Sequence, residues 1–251
     1  MINNPVLAQS SAITIQRQKI CGIFGETYSE ERWHDWRWQM RHRLTKLEHF
    51  EKLLRLTPSE IEGLMIAPVK FAVAVTPYFA SLLDPEEANC PLRIQVIPKQ
   101  EEIIVNPTDM VDPCGEDNDS PVPGLVHRYP DRVLLLALDT CAAYCRYCTR
   151  SRLVSQGEMN PIKRRLDAII AYLEEHIEVS DVVISGGDPL LMSNEILDSL
   201  LGRLRGISHI EFVRIGSRVP CFLPQRITQE LVTILRKHRV WLSAHFCHVR
   251  E

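Results

Sequence analysis

Charge of one sign is missing from this 251-residue sequence: 29 Lys and Arg stand against 32 Asp and Glu, a formal net charge of −3. A balance that close supplies no electrostatic footprint for nucleic acid or a strongly anionic partner. Long apolar runs are missing too. The run VLLLAL at 133–138 has six residues, against the ~20 that a membrane-spanning helix needs, so no membrane association is expected. The first residues, MINNPVLAQSSAITIQRQ, have no basic segment followed by an apolar one. That excludes a secretory signal and makes 1–29 read as a mobile polar leader. A dense cysteine framework is also absent. Of eight cysteines, Cys21, Cys90, Cys114, Cys221 and Cys247 are scattered, unlike the close-set pairs of small secreted scaffolds. A cytoplasmic chain with reduced thiols is the expectation.

What is present falls into segments. Residues 30–83 read as an N-terminal helical region, with Trp33, Trp36, Trp38, Leu44, Leu47, Leu53 and Leu54 making apolar stripes at helical spacing. Arg32, Arg37, Arg41, Arg43, Lys46 and Lys52 are interleaved with Glu30, Glu31, Asp35, Glu48 and Glu51. That mixture marks a solvated helix face rather than an RNA-binding surface. Thr57-Pro58-Ser59-Glu60 is a helix start, with a Thr cap, Pro at the first position and Glu three residues on. A further helix is expected over 69–83, interrupted near Pro77. Residues 84–131 read as an extended connector, with seven prolines between 84 and 123 and no sustained period.

From 132 to 251 the texture changes. Strand-like runs VLLLALD (133–139), DVVISGGD (181–188), IEFVRIGS (210–217) and VWLSAHF (240–246) alternate with helical patterns near 161–176, 193–205 and 227–238. Near-continuous apolar strands between helices predict a parallel sheet covered by helices. About four βα units do not close a barrel. The α/β core is therefore an open sheet or an incomplete barrel in a chain cut short, and its last strand is an unpaired edge. Polar residues gather where each strand ends, the edge at which barrel and doubly wound folds build their chemistry.

The cysteine cluster lies at such an end. CAAYCRYCTR (141–150) sets Cys141, Cys145 and Cys148 in the loop after the first strand. Three thiolates can hold a 4Fe–4S cluster and leave one iron open for a small molecule. Zinc is the competing reading, with Cys114, His127 or Cys247 brought in as a fourth ligand. A purely packing role fits poorly, because core cysteines do not cluster in a polar loop beside arginines.

The C-x3-C-x2-C spacing with an aromatic residue before the last cysteine resembles the signature of radical S-adenosylmethionine (SAM) enzymes. SGGDPL (185–190) resembles their glycine-rich segment. ERWHDWRWQMRHR (31–43), DSPVPGLVHRYPDRVLL (119–135), RIGSRVPCFLPQRIT (214–228) and WLSAHF (241–246) extend the resemblance, from about Glu30 onward, to the lysine 2,3-aminomutase family. It implies a partial (βα) barrel of the radical SAM type, preceded by a helical region. It also implies three cofactors: a 4Fe–4S cluster on the three cysteines, SAM, and pyridoxal 5′-phosphate (PLP). By resemblance, SAM is met by Ser185, Gly186, Gly187, Asp188, Arg214, Ser217, Arg218 and His245, with Asp188 accepting from its ammonium. Arg128, Tyr129 and Arg132 hold the PLP phosphate, and Arg150 pairs with the substrate carboxylate. The implied reaction is a 2,3-amino shift between L-lysine and L-β-lysine. It is fed by an electron donor such as flavodoxin or ferredoxin, in a possible homo-oligomer.

The family's Schiff-base lysine, the acids for the substrate's distal ammonium and its zinc-binding interface segment lie beyond the fourth strand, so a truncated form is expected. Lys163 and Lys237 are outside those motifs, and no catalytic residue is assigned. Glutamate 2,3-aminomutase or another related aminomutase shares much of this scaffold. An inactive cluster-binding fragment and a zinc module are the alternatives from other classes.

Overall fold

The computed structural model describes residues 5–104, 106–154, 159 and 161–251. Residues 1–4 of the expected leader and 105 of the connector lie outside the described residues. The leader is corrected: Pro5–Ile23 is a helix, α1, and its Ile20 and Cys21 are buried in the core. Ile20 and Cys21 dock the helix, and Arg17 adds a guanidinium 5.2 Å over the Trp33 ring. The expected helical region follows as α2 (Glu30–His34), α3 (Trp36–Arg41), α4 (Leu47–Glu51), α5 (Pro58–Lys70) and α6 (Pro77–Ala80). Asp35 ends α2 and caps α3 by accepting from Arg37 N. Thr57 and Glu60 form the reciprocal capping box expected at the start of α5. The helix expected over 69–83 shrinks to α6, because Val75 pairs with Leu44 in an antiparallel bridge and Thr76 restarts the helix as an N-cap.

The connector folds back on this region. Arg93, fully buried, forks onto both oxygens of buried Glu60 at 2.8 and 2.7 Å. Removing either partner would strand a charge at a cost of about 3–5 kcal/mol. The connector's last residues are not loop: β1 (Leu125–Tyr129) pairs antiparallel with β2 (Arg132–Leu138). The βα series then runs α7 (Ile162–Glu175), β3 (Asp181–Gly186), α8 (Asn194–Arg205), β4 (Phe212–Ser217), α9 (Val219–Phe222), α10 (Gln229–Lys237) and β5 (Trp241–Ala244).

Among the described residues the sheet has five strands in the order β1-β2-β3-β4-β5, parallel from β2 onward. Alternate residues Val133, Leu135, Val182, Ile184, Val213 and Ile215 are buried and share one core with Ile169 and Leu173 of α7 and Leu197, Leu200 and Leu201 of α8. Leu134, Val183 and Arg214 on the intervening positions are only half-buried, as on the inner face of a partial (βα) barrel. Trp241 and Leu242 of β5 are exposed. No helix among the described residues is long and apolar enough to cross a membrane.

Candidate active site

Loops after four strands meet at the C-terminal edge of the sheet and are stitched to one another. Gly187 N donates to Leu138 O at 2.5 Å, and Asp188 N to Thr140 O at 2.8 Å, joining the loop after β3 to the root of the cysteine loop. Glycine is required here. Gly186 has φ of +113°, and a Cβ on Gly187 would lie 2.3 Å from Thr140 O. The close approach these glycines permit is thus to neighbouring backbone.

Asp188, expected to face an ammonium, is buried and already engaged. Oδ1 accepts from Ser217 Oγ at 2.7 Å and Leu190 N at 3.2 Å; Oδ2 accepts from Arg218 N at 2.7 Å and Val219 N at 3.0 Å. Burial pushes its carboxyl up, against the pull of these four donors. Asp188 and Ser217 therefore brace the β3 loop against the β4 loop, a role the sequence reading did not give them. His245 N, after β5, donates to Ser217 O at 3.0 Å and closes the series. The exposed His245 ring lies 6.1 Å from that of Tyr147, between centroids.

Cys141, Cys145 and Cys148 line one cavity with Phe71, Tyr144 and Arg146. Their loop is held from outside the barrel: Tyr144 N donates to Ala74 O at 3.1 Å, Arg146 N to Gln95 O at 2.8 Å, and Arg43 Nη1 to Cys141 O at 2.9 Å. Burial pushes the Cys141 and Cys148 thiols up, so loading metal there must displace protons. Among the described residues no three Cys, His, Asp or Glu side chains converge on a single ion. Of the three candidate fourth zinc ligands, Cys114 lines a different cavity, His127 Nδ1 lies 2.7 Å from Tyr172 OH, and Cys247 Sγ lies 3.0 Å from Tyr147 OH in the cysteine loop.

Arg218 is buried beside this cavity, with Nη1 3.4 Å from Cys145 Sγ and bonded to Tyr147 OH. Its Nη2 reaches Gln95 Oε1 and Glu251 Oε2, both at 2.9 Å. Arg214 sits inside β4 and forks onto Asp181, the first residue of β3.

A second cavity, of about 310 Å³, gathers Arg128, Tyr129, Arg132 and Arg150, with Glu116, Cys114, Leu134 and Val183 in its wall. Four residues proposed for two different ligands thus share one space. Each guanidinium already has a carboxylate: Arg128 pairs with Asp119 at 2.6 Å, Arg132 with Asp131 at 2.9 Å and Arg150 with Glu116 at 2.7 Å. The Arg132 guanidinium also stands 5.6 Å over the Tyr129 ring. Glu116, Gln95, Glu251 and Arg43 were missed by sequence reasoning. For Glu116 a signal existed in the acidic stretch DPCGEDND (112–119), which is complementary to the arginine-rich cysteine loop.

A family model described as "4Fe-4S single cluster domain" matches residues 130–246. The chain is 50% identical over 218 residues to the L-lysine 2,3-aminomutase of Bacillus subtilis, covering 86% of this chain and 46% of that protein. It is 49% identical over 224 residues to the L-lysine 2,3-aminomutase of Clostridium subterminale, with 89% and 54% covered. The glutamate 2,3-aminomutase of Clostridioides difficile is 35% identical over 249 residues, with 99% and 58% covered. The chain spans about half the length of the curated relatives it matches.

Proposed function

The chain belongs to the lysine 2,3-aminomutase family, and on that premise we propose that it takes part in a radical SAM, PLP-dependent 2,3-amino shift between L-lysine and L-β-lysine. The observation that carries the reading is the shared cavity of Arg128, Tyr129, Arg132 and Arg150, set beside a loop that presents three thiols to its own cavity. Identity to six lysine enzymes, 41–50%, exceeds the 35% to the glutamate enzyme, a figure one further lysine enzyme shares, and on this the reading takes lysine as substrate.

The residues fit the groups in kind. Cys141, Cys145 and Cys148 supply three thiolates for a 4Fe–4S cluster, and the buried Arg218 sets a cation beside them. Three guanidiniums and a phenol are the donor set for an anionic phosphate and a carboxylate, each charged hydrogen bond being worth about 1.5–3 kcal/mol. Arg128, Tyr129 and Arg132 hold the phosphate, and Arg150 orients the substrate by its carboxylate. Ser185, Gly186 and Gly187 offer SAM a rigid backbone, and His245 stands at the same edge. When bound, the cluster, SAM and PLP supply the electron transfer, the radical initiator and the delocalised π-system that the shift needs. The protein aligns them and limits access of water. A flavodoxin or ferredoxin donor, a cytoplasmic setting and a homo-oligomer accompany this reading.

Anaerobic reconstitution with iron and sulfide tests it. Four irons per chain are expected. Cys145→Ala should abolish the visible absorption, and Cys221→Ala should retain it; equal loss from both would refute the ligand assignment. With SAM and reductant the loaded protein should release 5′-deoxyadenosine, a step that needs neither the Schiff-base lysine nor the distal acids; no release from a full cluster would refute the radical SAM reading.

A further inference from the structure

We propose that Arg218 sets the reduction potential of the cluster on Cys141, Cys145 and Cys148, by donating an N–H···S hydrogen bond to the Cys145 sulfur from a guanidinium locked in place. This rests on the cluster reading above. Arg218 Nη1 lies 3.4 Å from Cys145 Sγ, within reach of a sulfur acceptor. The guanidinium cannot wander. Gln95 and Glu251 hold Nη2, Tyr147 OH bonds Nη1, and the Phe222 ring lies 4.1 Å from Cζ.

Glu251 is itself fixed, accepting from Gln95 Nε2 and Cys247 N, both at 2.8 Å. Gln95 is anchored in turn at Pro91 O, 2.9 Å away. The arrangement is a scaffold of neutral and acidic groups that aims one cation at one thiol. Arg43, by contrast, bonds the Cys141 backbone carbonyl and not a sulfur. Arg218 Nε is also buried without a hydrogen-bond partner, so the desolvated charge is not spent on a complete network. A cation and an N–H donor at a cluster sulfur stabilise the state with one more electron, and hydrogen bonds to sulfur are among the levers that set such potentials. Arg218 is therefore a positioning and tuning residue acting through Cys145.

The test is a mediated dithionite titration of the reconstituted protein, followed by electron paramagnetic resonance. Arg218→Gln should keep four irons per chain and lose at least tenfold in the reduction equilibrium, a fall of about 59 mV for a one-electron couple. An unchanged potential on a full cluster overturns the proposal. An unsubstituted protein that takes up no cluster overturns the cluster reading itself, which separates the two failures. Should Arg218→Gln fail to load, Arg218→Lys keeps a cation opposite Glu251 without the forked reach, and a smaller fall is expected; no fall overturns the proposal. In the unsubstituted reduced protein, electron–nuclear double resonance in H₂O and D₂O should show an exchangeable proton coupled to the cluster. Its absence, or its persistence in Arg218→Lys, refutes the hydrogen bond.

Discussion

Replacing Asp188 by Ala separates a brace from a ligand contact. The carboxylate accepts four hydrogen bonds inside the protein. Two donors have somewhere else to go: Val219 N also reaches Ser217 Oγ at 3.0 Å, and the Ser217 hydroxyl can rotate. The backbone N–H groups of Arg218 and Leu190 lose their acceptor while buried, at about 1–3 kcal/mol each. The gross loss is then about 2–6 kcal/mol, against a total stability of about 5–15 kcal/mol for a domain. Relief from the buried charge reduces it. Burial raises the Asp188 pKa above its ordinary 3.8, so the folded chain holds this proton after the unfolded chain has released it. The group's contribution is therefore fullest below pH 3.8 and declines as pH rises through the folded value. Asp188→Ala should remove that slope as well as lower stability. Urea unfolding by tryptophan fluorescence at several pH values reads both, and iron content after reconstitution reads whether the cysteine loop survives. A loss under ~0.5 kcal/mol with full iron content, but with SAM affinity gone, would refute the brace and restore a direct ammonium contact.

Gly187→Ala puts a methyl 2.3 Å from Thr140 O, where backbone must move; about 3 kcal/mol or more of stability should be lost by urea unfolding, and cluster loading with it. Gly22→Ala in α1, with nothing within 4 Å of the new Cβ, should be neutral or stabilising by about 0.5–1 kcal/mol in the same assay. Glu116→Gln removes the carboxylate that Arg150 holds at 2.7 Å and so takes a negative charge from the cavity wall. PLP should bind roughly tenfold tighter by spectrophotometric titration, near the low end of what a charged hydrogen bond is worth, and unchanged or weaker binding would contradict the view that Glu116 competes with anions there.

The parts of this molecule legible in its sequence are those carried by local pattern. Apolar runs near 133, 181, 210 and 240 became β2 to β5 within a residue or two, because short runs rich in Val, Ile and Leu between helical patterns suit the pleated, half-buried surface of a strand. The cysteine spacing marked the loop. What stayed hidden depends on residues far apart in the chain. LVHRY at 125–129 carries few strand signals of its own and becomes β1 only because β2 offers an edge. Ser217 and Asp188 are 29 residues apart, and nothing near either one shows that they meet.

Charge shows the same limit most clearly. Read locally, CRYCTRSR is a strongly basic loop. In the fold Arg146 pairs with Glu102, Arg150 with Glu116, and Arg152 with Asp112 and Asp117. All four acids come from the connector, 34 to 44 residues earlier. The connector is therefore a counter-charged strap over the cysteine loop. An anion entering the second cavity meets Arg150 already paired, and what it gains is the difference between its own contact and that of Glu116. The strap thus determines which anions displace it, and local charge counting assigns that selectivity to the wrong segment.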